Sequence, residues 1–81
     1  MVLTKQKMAW SMKSTYGRVR LNQYSIGGLP PGEFAFIAEF PQLGWRFLRW
    51  NDDWHGNWTG QYSSADAAVA ALREELLTAV V

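Results

Sequence analysis

The chain is 81 residues long, 48% hydrophobic and 19% charged, a balance that suits one globular domain and argues against intrinsic disorder. It has no Cys, which rules out disulfides and thiolate metal sites, and its formal net charge is only +1. No apolar run approaches the roughly 18 residues of a membrane span, and the N-terminal residues lack an apolar stretch of signal-peptide length. A soluble, cytoplasmic protein with no membrane partner is therefore expected.

The first quarter carries an alternation of period two. Met8, Trp10 and Met12 alternate with Lys7, Ala9, Ser11 and Lys13, and Arg18, Arg20 and Asn22 alternate with Val19, Leu21 and Gln23. With Ser14-Thr15-Tyr16-Gly17 as the turn, this predicts a first hairpin with a basic outer face over residues 1–25. A flexible or helical first dozen residues is the alternative. The stretch Ile26-Gly27-Gly28-Leu29-Pro30-Pro31-Gly32 combines breakers with the extended bias that precedes proline, so it reads as a long connection.

Glu33–Phe40 reads as a central strand, with Phe34, Phe36, Ala38 and Phe40 on one face and Ala35 and Ile37 on the other. Pro41-Gln42-Leu43-Gly44 turns the chain into a second strand, Trp45–Trp50. The polar stretch Asn51–Asn57 then leads to a third, Trp58–Tyr62. If Asn51 faces Asn57, Trp50 sits opposite Trp58 and Leu48 opposite Gly60. On that alternation Leu48, Trp50, Trp58 and Tyr62 share one side, and Trp45 and Phe47 the other.

Ser63 is placed to cap a helix, with Asp66 three residues on to complete a capping box. Ala65, Ala68, Val69, Leu72, Leu76, Ala79 and Val80 then recur at helical spacing, with Arg73 and Glu74 on the opposite side. The expected architecture is α+β: a small antiparallel sheet of four to five strands with one C-terminal helix packed on one face. It forms a single domain, in which residues 26–62 supply the central strands and the Trp-rich hairpin and residues 63–81 the helix.

Charge and aromatic surface give the functional expectation. Residues 1–32 hold Lys5, Lys7, Lys13, Arg18 and Arg20 and no acid, while residues 33–81 set seven acids against Arg46, Arg49 and Arg73. Twelve aromatic residues, five of them Trp, exceed what so short a chain easily hides. One helix covers one sheet face, so either the first hairpin folds over the other face or an aromatic patch stays open.

Catalytic chemistry finds little support. His55 is the only histidine, and with Asp52 and Asp53 it forms no convergent metal set. No nucleophile elbow or triad spacing occurs. Gly27-Gly28 lacks the helix and lysine of a phosphate loop. No enzyme activity, metal or cofactor is expected.

The expectation is a protein-binding module, an inhibitor or adaptor, acting through Trp45, Phe47, Arg49, Asp52, Asp53, Trp54 and His55. In size alone the chain resembles the phage- or mobile-element-encoded inhibitors called anti-CRISPR proteins. Two alternatives stand beside it. One is nucleic-acid binding through Lys7, Trp10, Lys13, Tyr16, Arg18 and Arg20, where rings interleave with cations. The other is a homodimer formed through the open sheet face.

Overall fold

The computed structural model describes residues 1–78. Its main sheet has five antiparallel strands in the spatial order β1 (Thr4–Lys7), β4 (Asn22–Gly27), β5 (Phe34–Phe40), β6 (Gly44–Trp50) and β7 (Thr59–Tyr62). A separate two-stranded hairpin pairs β2 (Thr15–Tyr16) with β3 (Val19–Arg20), and the chain closes with α1 (Ala65–Thr78). This is the expected α+β fold with its helix packed on the sheet.

The pleat of β5 divides the core. Ala35 and Ile37 point towards the helix and pack with Ile26, Phe47, Ala68, Leu72 and Leu76. Each of these larger aliphatic side chains, fully buried, contributes about 1.5–3 kcal/mol. Ala38 and Phe40 point the other way, into a smaller cluster with Leu21, Leu43 and Trp58. The helical stripe predicted from spacing is the one buried, through Ala68, Leu72 and Leu76, while Arg73 and Glu74 face solvent. Ala79 and Val80 lie outside the described residues.

The helix cap is displaced by one residue from the expectation. Ser64, not Ser63, accepts the free amide of Ala67 through its hydroxyl at 3.1 Å. Asp66 does not reach back to complete a box; its carboxylate pairs with Lys5 Nζ at 3.0 Å, tying β1 to the first turn of the helix. That choice keeps the acid at the positive helix end while it meets a cation.

The N-terminal quarter differs most from the alternation pattern. The segment with period two, Met8–Met12, forms no strand; Trp10–Met12 is a single 3-10 turn. The sheet takes its edge strand from the preceding residues, Thr4–Lys7, which pair with Tyr24–Gly27. Residues 8–21 become an excursion that leaves the sheet and returns, pinned where Ser14 N–H donates to Gln23 Oε1 at 2.7 Å. Gln23 is itself buried on β4. Ile26 and Gly27, expected in the connection, complete β4 instead.

The register of the Trp-rich hairpin is also tighter than the spacing suggested. Trp50 bridges to His55, not to Trp58, because a turn closes within Asn51–Trp54. Asn51 N–H donates to the Trp54 carbonyl at 2.8 Å, and Asn51 Oδ1 accepts from Asp53 N–H at 2.9 Å, the side-chain mimic of a backbone turn. Further along, Phe47 pairs with Thr59 but Trp45 pairs with Tyr62, so β7 holds one more residue than β6 across this interval. Gly60, at φ +93°, supplies this bulge. The extra residue carries Tyr62 to the helix side, where its ring stacks on Phe47 with centroids 6.2 Å apart, and leaves Trp58 on the opposite side.

Candidate binding surface

The two faces of the sheet meet different coverings. On the helix side Trp45 stacks on Tyr24, with centroids 6.1 Å apart, and both flank the helix-packed core. Phe47 is 3% exposed beneath the helix. Arg49 shares this side, and its side chain is only 11% exposed. Its guanidinium lies 3.5 Å from Glu33 Oε1 and 3.5 Å from Glu75 Oε1, bridging the residue before β5 to the helix.

The expected Trp45/Phe47/Arg49 patch is therefore not an open surface. The helix packs on the face that the alternation left uncovered. Side-chain parity was assigned correctly within β5 and β6, but parity alone does not say which face a helix will choose. The choice follows size: Ala35 and Ile37 leave room for Ala68 and Leu72, whereas Phe34 and Phe36 at the same level would hold a helix off.

Trp54 takes a middle course. It is 47% exposed, yet one side of its ring lies against Gly56 and the Arg49 guanidinium sits 5.1 Å from its centre. A Cβ on Gly56 would come within 2.6 Å of the Trp54 ring, so this glycine makes the fold-back possible. Asp52 and Asp53 are exposed at the turn, and His55 faces the other way, its ring stacked on Trp50 at 6.1 Å. The seven residues read as one binding cluster are thus split between a buried ion-pair centre, a turn and the far face.

That far face holds the uncovered aromatic surface. Phe34 is 47% exposed and stacks on Trp50 with centroids 5.6 Å apart. Phe36 leans on the same indole at 4.9 Å. Leu48, next along β6, is half-buried. A groove of about 410 Å³ opens at this end, floored by Phe34, Phe36 and Trp50 and walled by Leu29, Ser25 and Glu33. The signal for this site was present in the period-two Phe series of β5. What spacing did not carry was which face the helix leaves free.

At the opposite end of the same face the excursion lies on the sheet. Tyr16 meets Phe40 edge-on at 5.7 Å, Trp58 meets Phe40 at 5.0 Å, and Leu21 is sealed among them. The excursion keeps its own apolar and basic groups outward: Trp10 is 67% exposed, and Arg20 covers it with its guanidinium 4.7 Å from the ring centre. Arg20 also donates to the Lys13 backbone carbonyl, which ties β3 to the residue that follows the 3-10 turn. Arg18 is exposed beside them, and Lys7 stands on β1 next to Tyr24, on the helix side. Of the expected basic set, Trp10, Lys13, Tyr16, Arg18 and Arg20 are brought together and Lys7 is set apart.

Lys5 and Arg49 are neutralised by Asp66, Glu33 and Glu75 on the helix side. Among the described residues, Lys7, Lys13, Arg18, Arg20, Arg46 and Arg73 have no carboxylate partner. Arg46 lies on the far face with its guanidinium 5.4 Å from the centre of the Phe40 ring, and its buried Nε has no acceptor. No group of three His, Cys, Asp or Glu side chains converges among the described residues, and no helix there is long and apolar enough to cross a membrane. Comparison with protein-family models, curated proteins and solved structures returned no match, so geometry alone supports the functional reading.

Proposed function

We propose that this chain is a small non-enzymatic binding module whose working surface is the sheet face opposite the helix. One observation carries the reading. Phe34, Phe36 and Trp50 form a contiguous, partly exposed aromatic cluster at the end of the far face that neither the helix nor the excursion covers. Large aromatic side chains left in water mark interaction sites because their burial by a partner returns the apolar free energy that folding did not collect. Trp, Tyr and Arg also dominate binding hot spots, and Trp50 and Arg46 share this face. The Trp54 turn stands at the margin of the surface, not at its centre.

A face-specific cross-linking experiment tests the reading. A photo-crosslinking phenylalanine analogue in place of Phe34 is expected to label a partner in cell extract, and the same analogue in place of Glu74, on the outer side of the helix, is not. Equal labelling from both positions, or none from either, overturns the reading.

A further inference from the structure

Resting on the binding-module reading, we propose that the occupant of the uncovered groove is an arginine side chain carried by a partner protein. Its guanidinium sits on the outer face of Phe34 and beside Glu33. The first support is the charge of the groove. Among the residues that line its volume of about 410 Å³, Glu33 is the only ionisable one, and Asp52 and Asp53 follow Trp50 in the exposed turn beyond it. The guanidinium that already meets Glu33, that of Arg49, is divided between Glu33 and Glu75, one cation for two carboxylates. Glu33 Oε1 takes that contact and a 3.5 Å hydrogen bond from Asn51 Nδ2. Glu33 Oε2 is shielded from water and has no donor. A buried carboxylate oxygen left without a donor is costly, and an arginine brings several N–H groups in a planar fork that matches a carboxylate.

The second support is the state of the rings. Phe34, Phe36 and His55 all pack on the Trp50 indole, so Trp50 is the backing of the site and not its contact surface. Phe34 lies nearly parallel to Trp50, at 18° between planes, and is still 47% exposed, which leaves its other face open. Elsewhere the molecule covers rings with its own cations: Arg20 lies over Trp10, Arg46 over Phe40, Arg49 over Trp54 and Lys5 over Tyr24. Among the described residues no cation lies over Phe34, Phe36 or Trp50. The vacancy is one of charge beside an open ring, and a cation on an aromatic face gains as water is displaced. Arginine suits it better than lysine, because a guanidinium stacks flat and is more weakly hydrated than an ammonium. A strand of nucleic acid or an acidic segment would bring its anions against Glu33 and the Asp52–Asp53 turn, and like charges so placed oppose docking. A purely apolar segment would leave Glu33 Oε2 without a donor.

An NMR titration of isotope-labelled protein tests the assignment. The probe is the short capped peptide Gly-Leu-Arg-Leu-Gly, carried to millimolar concentration, beside versions with citrulline, lysine or glutamate in place of its arginine. Saturable shifts at the Glu33 to Phe36 amides and the Trp50 indole N–H are expected with the arginine peptide. Citrulline keeps the shape and loses the charge, and should bind roughly tenfold more weakly. Phe34→Leu keeps apolar bulk and loses the π-face; it should weaken the arginine peptide about threefold or more and leave the citrulline peptide nearly unchanged. Glu33→Gln should weaken the arginine peptide roughly tenfold, and if circular dichroism shows that this variant does not fold, the Phe34→Leu comparison decides by itself. Equal binding of the arginine and citrulline peptides, binding of the lysine or glutamate peptide as tightly as the arginine peptide, or an equal effect of Phe34→Leu on the arginine and citrulline peptides overturns the assignment. If no peptide moves these signals while the analogue at position 34 still labels a partner protein, the arginine assignment falls and the binding-module reading stands. If labelling fails as well, both fall.

Discussion

The two faces of the sheet are made from the same strands and similar side chains, yet they are finished in opposite ways. The helix side is small at its centre, with Ala35, Ile37 and Ala68, and closes tightly around Leu72 and Leu76. The far side has Phe34, Phe36 and Trp50 at one end and Phe40 and Trp58 at the other, with the small Ala38 between them, and is closed at the second end only, by Leu21 and Tyr16 of the excursion. Small residues at the centre let the helix approach, with Phe47 buried beneath it. On the closed side Arg49 lies between Glu33 and Glu75, while Arg46 on the open side has no carboxylate partner among the described residues.

If the closed face carries stability, its disruption should cost most. Leu72→Ala removes a fully buried side chain at the helix–sheet contact and is expected to destabilise the fold by about 3 kcal/mol, read as a lower urea midpoint. A loss below about 1 kcal/mol would mean that the helix contributes little to closure. Next comes the ion-pair centre. Arg49→Ala leaves Glu33 partly buried beside an empty position and removes the cation from the face of Trp54, so a loss of about 2 kcal/mol is expected. The Trp54 emission should also shift towards that of an indole in water, and an unchanged spectrum would show that Arg49 does not hold the ring.

The smallest effect belongs to the open face. Phe34→Ala loses one cross-strand stacking contact with Trp50 and should cost less than about 1 kcal/mol in the same urea titration. A loss comparable to that of Leu72→Ala would make the aromatic row a second core and remove the contrast between the faces.

The comparison also explains how far the site was legible without coordinates. Within β5 the alternation sorted Phe34, Phe36, Ala38 and Phe40 from Ala35 and Ile37 correctly, because the pleat admits no other arrangement. The same reasoning misplaced Tyr62, since a single extra residue at Gly60 inverts every side chain that follows. It misplaced Met8, Trp10 and Met12 for another reason. A period of two suits a strand only where a neighbour is free to pair, and β1 had already taken the edge of β4. The binding cluster around Trp45, Phe47 and Arg49 was recognised as aromatic and charged, but its exposure depended on the side the helix selected.

Local chemistry by itself determined the antiparallel α+β class, the central strand, the amphipathic helix and the segregation of basic from acidic halves. These follow from propensity, pleat and spacing, which act over a few residues. Only the tertiary structure decided which face the helix covers, that Arg49 is consumed in an internal ion-pair bridge, and that Phe34, Phe36 and Trp50 remain partly exposed. Those outcomes depend on how bulky surfaces fit against one another across the whole domain, and residues far apart in the chain settle them together.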